Sequence, residues 1–187
     1  MGRRARRVIL RDVGAGAYGV GMSEIVIRPA SAGRVADAEH AREEKRELLR
    51  ADLMHEPASA LIAYVDGEAA GWVKVSPRPD QPRLARTRAF QESPEPFEDG
   101  SVWAVTCFVV RREHRGAGLS SRLLAAAVDH ARRHGARVVE GYPVDAGATK
   151  TSSSELFHGA LTTFLDAGFS EVARPKPARP IVTLTVG

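Results

Sequence analysis

The chain lacks most of what would announce an unusual environment. A single cysteine, Cys107, leaves no disulfide framework within the chain, and a reduced, cytoplasmic setting fits it best. No apolar run approaches the roughly 20 residues that cross a bilayer, and "VIL" near the start is too short for a secretory signal core. The six histidines are scattered, without an HExxH or paired-cysteine spacing, so no metal site is expected. There are no internal repeats. What remains is a 187-residue chain of ordinary composition, large enough to bury a core without disulfides or metal.

The positive charge is local. "MGRRARRVILRDVGAGAYGVGM" sets five arginines against Asp12 alone and carries the whole formal net charge of +4. The rest holds 22 basic and 22 acidic groups. Residues 1–22 are therefore expected to be a disordered Gly/Arg-rich extension, and 23–187 a single domain. The extension is the only basic patch available to nucleic acid, so nucleic acid is not expected as a partner, nor is a membrane. A homodimer is left open.

"EIVIRP" (24–29) predicts a first strand. Residues 31–55 have helical composition, with Ser31 as N-cap and a stop at Pro57. "SALIAYVDGEAAGWVKVSP" (59–77) predicts a hairpin turning at Asp66-Gly67. Residues 78–100 are rich in proline, arginine and acids, and read as a solvated mixed-charge loop with a short helix near 84–89. "SVWAVTCFVV" (101–110) is apolar on both faces and predicts a central buried strand. A helix over 117–135, a strand over 136–144, a helix over 154–168 and two final strands follow. The fold class expected is α/β with layered α+β character. It has a mixed, mostly antiparallel sheet of six or seven strands, with a central β–α–β crossover and helices on both faces.

"EHRGAGLSS" joins the central strand to the next helix. A helix N-terminus presents unpaired N–H groups and positive potential, and glycines remove the Cβ atoms that would hold a bulky anion away. A nucleoside-triphosphate loop needs Gly-Lys-Ser/Thr, and there is no lysine. A dinucleotide fingerprint needs G-x-G-x-x-G, but Ser121 stands at the third glycine and only Glu140 lies near the ribose-binding position. The remaining pattern is Arg/Gln-x-x-Gly-x-Gly/Ala, present as Arg115-Gly116-Ala117-Gly118-Leu119-Ser120. This stretch resembles the pyrophosphate loop of the GCN5-related N-acetyltransferases (GNAT), with Ser120 in its last slot as a departure. "FVV" ahead of the loop, "DGEAAGW" (66–72) and "FLDAGF" (164–169) resemble further segments of that family in the same order.

The resemblance implies an acetyl-CoA-dependent N-acetyltransferase of the GNAT fold, transferring an acetyl group directly to a primary amine of a small molecule or protein. The amides of Gly116, Ala117, Gly118, Leu119, Ser120 and Ser121 would hold the pyrophosphate, with Arg115 at the entrance. Val109 and Val110 would pair with pantetheine, and the Phe108 N–H would meet the thioester carbonyl. The family's usual thiolate acid is a tyrosine four residues before the Gly-Phe glycine. Here Phe164 stands there, among the cofactor contacts, and cannot donate a proton. Four candidates for proton transfer remain: Glu140 and Tyr142, which share a strand face, Thr106, two residues before Phe108, and His158. Cys107 reads as buried packing, since no His/Asp escort is in view. The missing tyrosine also motivates an alternative, a non-catalytic acyl-CoA-binding or sensor module.

Overall fold

The computed structural model describes residues 25–29, 56–81, 83–87, 92–148 and 156–187. The expected extension and the helical segment over 31–55 lie outside the described residues. Seven strands form one sheet: β1 (Ile25–Pro29), β2 (Ala60–Val65), β3 (Glu68–Pro77), β4 (Val102–Val110), β5 (Val138–Gly141), β6 (Ser170–Lys176) and β7 (Arg179–Thr185). Their order is β1-β2-β3-β4-β5-β7-β6. Among the strands of the described residues, β4 and β5 alone run parallel; every other pair is antiparallel. The parallel pair needs a crossover, and α1 (Leu119–Arg133) supplies it.

The β2–β3 hairpin turns where predicted, with Asp66 and Gly67 both at positive φ (51° and 87°). That pair of left-handed residues suits the twist of a two-residue turn. α1 buries Leu119, Leu123, Leu124, Ala127 and Ala131, at 3–4 spacing, against Val73, Val105 and Val139 of the sheet. Burying one such leucine contributes on the order of 1.5–3 kcal/mol. Gly135, at φ +83°, closes the helix.

Three expected elements differ. The helix over 154–168 is broken into a 3-10 turn (Leu156–His158), a non-helical link at Gly159 and Ala160, and a short α2 (Leu161–Asp166). The cause is local: Gly159 sits at φ +83°, and Ala160 bridges Val144 as a strand residue. The strand over 136–144 shortens to β5 for the same reason, since beyond Gly141 the chain pairs with 159–161 instead of β4. The helix near 84–89 is a single 3-10 turn, Leu84–Arg86. The core around Phe164 joins α2 to α1's side of the sheet, so helices on both faces are not seen among the described residues.

His130 of α1 is buried and donates from Nε2 to the Ala58 carbonyl at 2.9 Å. Trp103 meets its ring edge-on at 5.6 Å. Burial is the main cause that holds the His130 pKa below its ordinary 6.5. The unfolded ring then takes up a proton at a higher pH than the folded one. Folding stability should therefore be full above pH 6.5 and fall as the pH drops towards the folded pKa. His130→Gln should show a shallower acid-side loss in urea midpoints between neutral and mildly acidic pH. Equal slopes for parent and variant would assign the loss to other groups.

Candidate active site

β4 and β5 are in register only from Val102↔Val138 to Val105↔Gly141. β4 then continues alone on that edge as far as Val110. Thr106 is a bulge: Lys74 pairs with Cys107 and the adjacent Val75 with Val105, leaving Thr106 unmatched. Bulges re-aim strand groups beside functional clefts. Past the bulge, the Arg111 N–H donates to Ala70 of β3 at 2.9 Å. Alternation along the strand therefore turns the N–H groups of Phe108 and Val110 to the opposite edge, which β5 has left.

Phe164 is the wedge behind that departure. Its ring is fully buried, edge-on to Phe108 at 5.9 Å and to Phe169 at 5.1 Å. A Cβ at Gly141 would lie 2.3 Å from the Phe164 ring, and one at Gly159 would lie 2.9 Å from it. Only glycine fits at these points of approach. Beyond Gly141, Val144 accepts from the Leu161 N–H and donates to Gly159 O, each at 2.9 Å. The diverging strand is thus tied to the segment before α2.

The glycine loop lies next to this opening. Gly116 and Gly118 have φ of +79° and +71°, and a Cβ on either would meet nothing within 4 Å. Gly118 is the N-cap of α1, and no side chain caps the helix. The first-turn amides therefore lack a side-chain acceptor, the arrangement that suits a phosphate group. Leu119 anchors the loop in the core, while Ala117 and Ser121 are exposed and Ser120 is half-buried. Arg115 is exposed and donates from Nε to Val110 O at 3.3 Å, between the loop and the strand edge. Val109 is 43% exposed.

On the other face of the sheet is a buried ion pair. Arg78 and Glu140 both have fully buried side chains, with Nη1 3.1 Å from Oε1. Ser93 donates to Glu140 Oε2 at 2.6 Å and accepts from Arg78 at 3.0 Å. The Tyr142 hydroxyl donates to Glu140 Oε1. Arg78 Nη2 also donates to the carbonyls of Glu95, at 2.8 Å, and Pro96. Burial, then the Glu140 charge, drives the Tyr142 pKa upward. Outside this cluster Arg137 clasps the same segment, 2.6 Å from Glu95 and 2.8 Å from Asp99. Hydrogen bonds from Ser101 and Arg137 hold the Asp99 carboxyl down to about 2. Residues 92–100 are therefore pinned to the end of β5, in place of the solvated mixed-charge loop expected there.

The bulge has its own network. Thr106 Oγ1 donates to Gln81 Oε1 at 2.8 Å, and Gln81 Nε2 donates to Ala104 O at 2.9 Å. His158 Nδ1 lies 3.1 Å from Thr106 O. Cys107 is half-buried, and burial pushes its thiol up, which suits packing better than nucleophilic attack.

An uncapped glycine loop beside a strand edge freed by its parallel neighbour defines a class of protein with backbone donors open to an anion and, alongside it, to an extended ligand. The model of the acetyltransferase (GNAT) family matches residues 24–148. The chain belongs to that family and is an N-acetyltransferase. A GNAT acetyltransferase from Streptococcus pneumoniae is similar in fold, with 16% identity and a TM-score of 0.55, over 88% of this chain and 100% of that one. So is a polyamine N-acetyltransferase from Drosophila melanogaster, with 13% identity and a TM-score of 0.52, over 87% and 100%. N-acetylglutamate synthase from Neisseria gonorrhoeae, complexed with coenzyme A and N-acetyl-glutamate, matches at 16% identity and 0.55 over 89% of this chain and 36% of that one. No curated protein matches. The family uses acyl-CoA and acetylates amines, and no helix among the described residues is long and apolar enough to cross a membrane.

The structure brings Thr106, Phe108 and His158 together at the opening, and Glu140 with Tyr142 in the buried cluster. Sequence reading missed Arg78, Gln81 and Ser93. The available signal was Glu140 itself, because an acid within an apolar strand calls for a cation. Removing one partner of the pair, by Arg78→Ala or Glu140→Ala, should cost about 3–5 kcal/mol of unfolding free energy. The joint change Arg78→Met, Glu140→Leu should cost much less, because no charge is then left buried alone. Urea denaturation of the three variants measures both.

Proposed function

We propose that the chain transfers the acetyl group of acetyl-CoA directly to a primary amine of a small molecule or a protein. The observation that carries this reading is the uncapped N-terminus of α1, with its two left-handed glycines, adjoining the β4 edge that β5 vacates. Acetyl-CoA supplies an acyl group activated as a thioester. The amides from Gly116 to Ser121 hold its diphosphate, and Arg115 adds a cation at the mouth. Val109 and Val110 offer strand-like pairing to pantetheine. The Phe108 N–H is a fixed donor for charge developing on the carbonyl oxygen.

Glu140 and Tyr142 take a positioning role in this reading. The Tyr142 proton is donated to Glu140, whose carboxylate also receives Arg78 and Ser93. Neither is then ready to exchange protons with an amine, but together they hold the 92–100 segment over one wall of the site. Thr106 positions Gln81 and, through its carbonyl, His158. Phe164 serves as packing, not as an acid.

Acetyl-CoA at 100 times its dissociation constant should stabilise the protein by about 2.7 kcal/mol, read as a rise in Tm. Gly118→Asp places a carboxylate at the diphosphate site and should abolish that rise while leaving the fold intact. A panel of amines, including diamines, polyamines, amino acids and an N-terminal peptide, should then release free thiol from acetyl-CoA with at least one member. A Tm rise without thiol release for any acceptor would favour the acyl-CoA-binding module. No Tm rise would sink both readings.

A further inference from the structure

The geometry points to His158 as the catalytic base that deprotonates the acceptor amine, with the Thr106 carbonyl as the group that fixes its tautomer. This assignment rests on the acetyl-transfer reading above. A carbonyl oxygen only accepts, so the 3.1 Å contact places a proton on Nδ1. In a neutral ring that leaves the Nε2 lone pair available, and among the described residues Nε2 has no hydrogen-bond partner. Thr106 is the bulge residue at which the β4–β5 pairing stops. Phe108, whose N–H faces the opening, follows two residues later, about 7 Å along the strand. His158 is thus held at the mouth of the opening, one step from the expected acyl carbonyl.

The segment carrying His158 is itself fixed. Its ring lies 3.9 Å from that of Phe157, and Gly159 O accepts from Val144. The groups facing His158 favour a neutral ring. Burial is the main one, the Arg179 cation at the start of β7 is the second, and the Thr106 bond opposes them. Among the described residues, no carboxylate is seen to act on it. On β4, Cys107, next to Thr106 in sequence, is held in its neutral form by burial, against the pull of Lys74. Of the two protons that the acceptor ammonium loses, one goes to Nε2 and from there to solvent. The other ends on the CoA sulfur as the C–N bond forms and the C–S bond breaks, so no oxidant or reductant is needed.

Two-bond ¹H–¹⁵N correlation spectra of the full-length protein, with His158→Gln for assignment, test the tautomer without any acceptor. The expected pattern at neutral pH is a protonated Nδ1 and a bare Nε2. A protonated Nε2, or an imidazolium at pH 7.5, overturns the assignment. With the most active amine of the panel, His158→Gln should lower kcat/KM by about 10²–10⁴-fold and remove the acid limb of its pH profile. The Tm rise with acetyl-CoA should be unchanged. A His158→Gln enzyme within threefold of the parent overturns the role as base. Failure of every amine in the parent would instead count against the acetyl-transfer reading, and the spectra would still decide the tautomer.

Discussion

The contact between Phe164 and Gly141 sets the rest of the site. Parallel strands with a helix crossover ordinarily continue side by side until one of them ends. Here the Phe164 ring occupies the space that any side chain at position 141 would need, and β5 turns away after four paired residues. The N–H groups of Phe108 and Val110, turned towards that edge, then face an opening instead of a neighbouring strand. The glycine loop and the uncapped start of α1 follow directly in sequence, so the freed strand edge and the loop proposed to hold the diphosphate lie along one continuous stretch from Thr106 to Ser121. A single packing contact from α2 thus becomes an opening along the β4 edge.

The opposite wall depends on charge. Burying Arg78 and Glu140 together costs several kcal/mol in lost hydration, which their mutual attraction and the hydrogen bonds from Ser93 and Tyr142 offset in part. A hydrophobic pair would fill the volume at less cost. What the ion pair adds is direction, because the Arg78 guanidinium also reaches the Glu95 and Pro96 carbonyls. That fixes a proline-rich segment with little regular structure of its own. Arg137 grips the same segment from the solvent side, where screening makes its ion pairs weaker. The buried arginine sets the position and the exposed one limits fraying.

Much of this was legible in the sequence because it depends on local pattern. The Asp66-Gly67 turn, the apolar run of β4 and the spacing of Leu119, Leu123 and Ala127 each act within a few residues of themselves. The conformation of the glycine loop was legible for the same reason, since it is set by backbone between a strand and a helix. The misses were long-range. Residues 154–168 have helical composition, but Val144 draws Ala160 into a bridge and Gly159 adopts a left-handed turn. Arg78 pairs with a residue 62 positions away, and nothing in "RPDQPRLARTR" distinguishes it from the exposed Arg83 and Arg86. Only Glu140, an acid among valines, hinted that a buried cation had to exist.

The replacement of tyrosine by Phe164 takes on a different meaning in this light. A hydroxyl on that ring would be carried into a fully buried space bounded by Gly141, Gly159 and Phe108, where an unpaired hydroxyl costs free energy. The position is committed to wedging the strands apart and is poorly suited to hold an acid. The turn that lets Gly159 pack on Phe164 also sets His158, the proposed base, against the Thr106 carbonyl. The same break in the expected helix therefore accounts both for the close packing of Gly159 on Phe164 and for the contact of His158 with the Thr106 carbonyl.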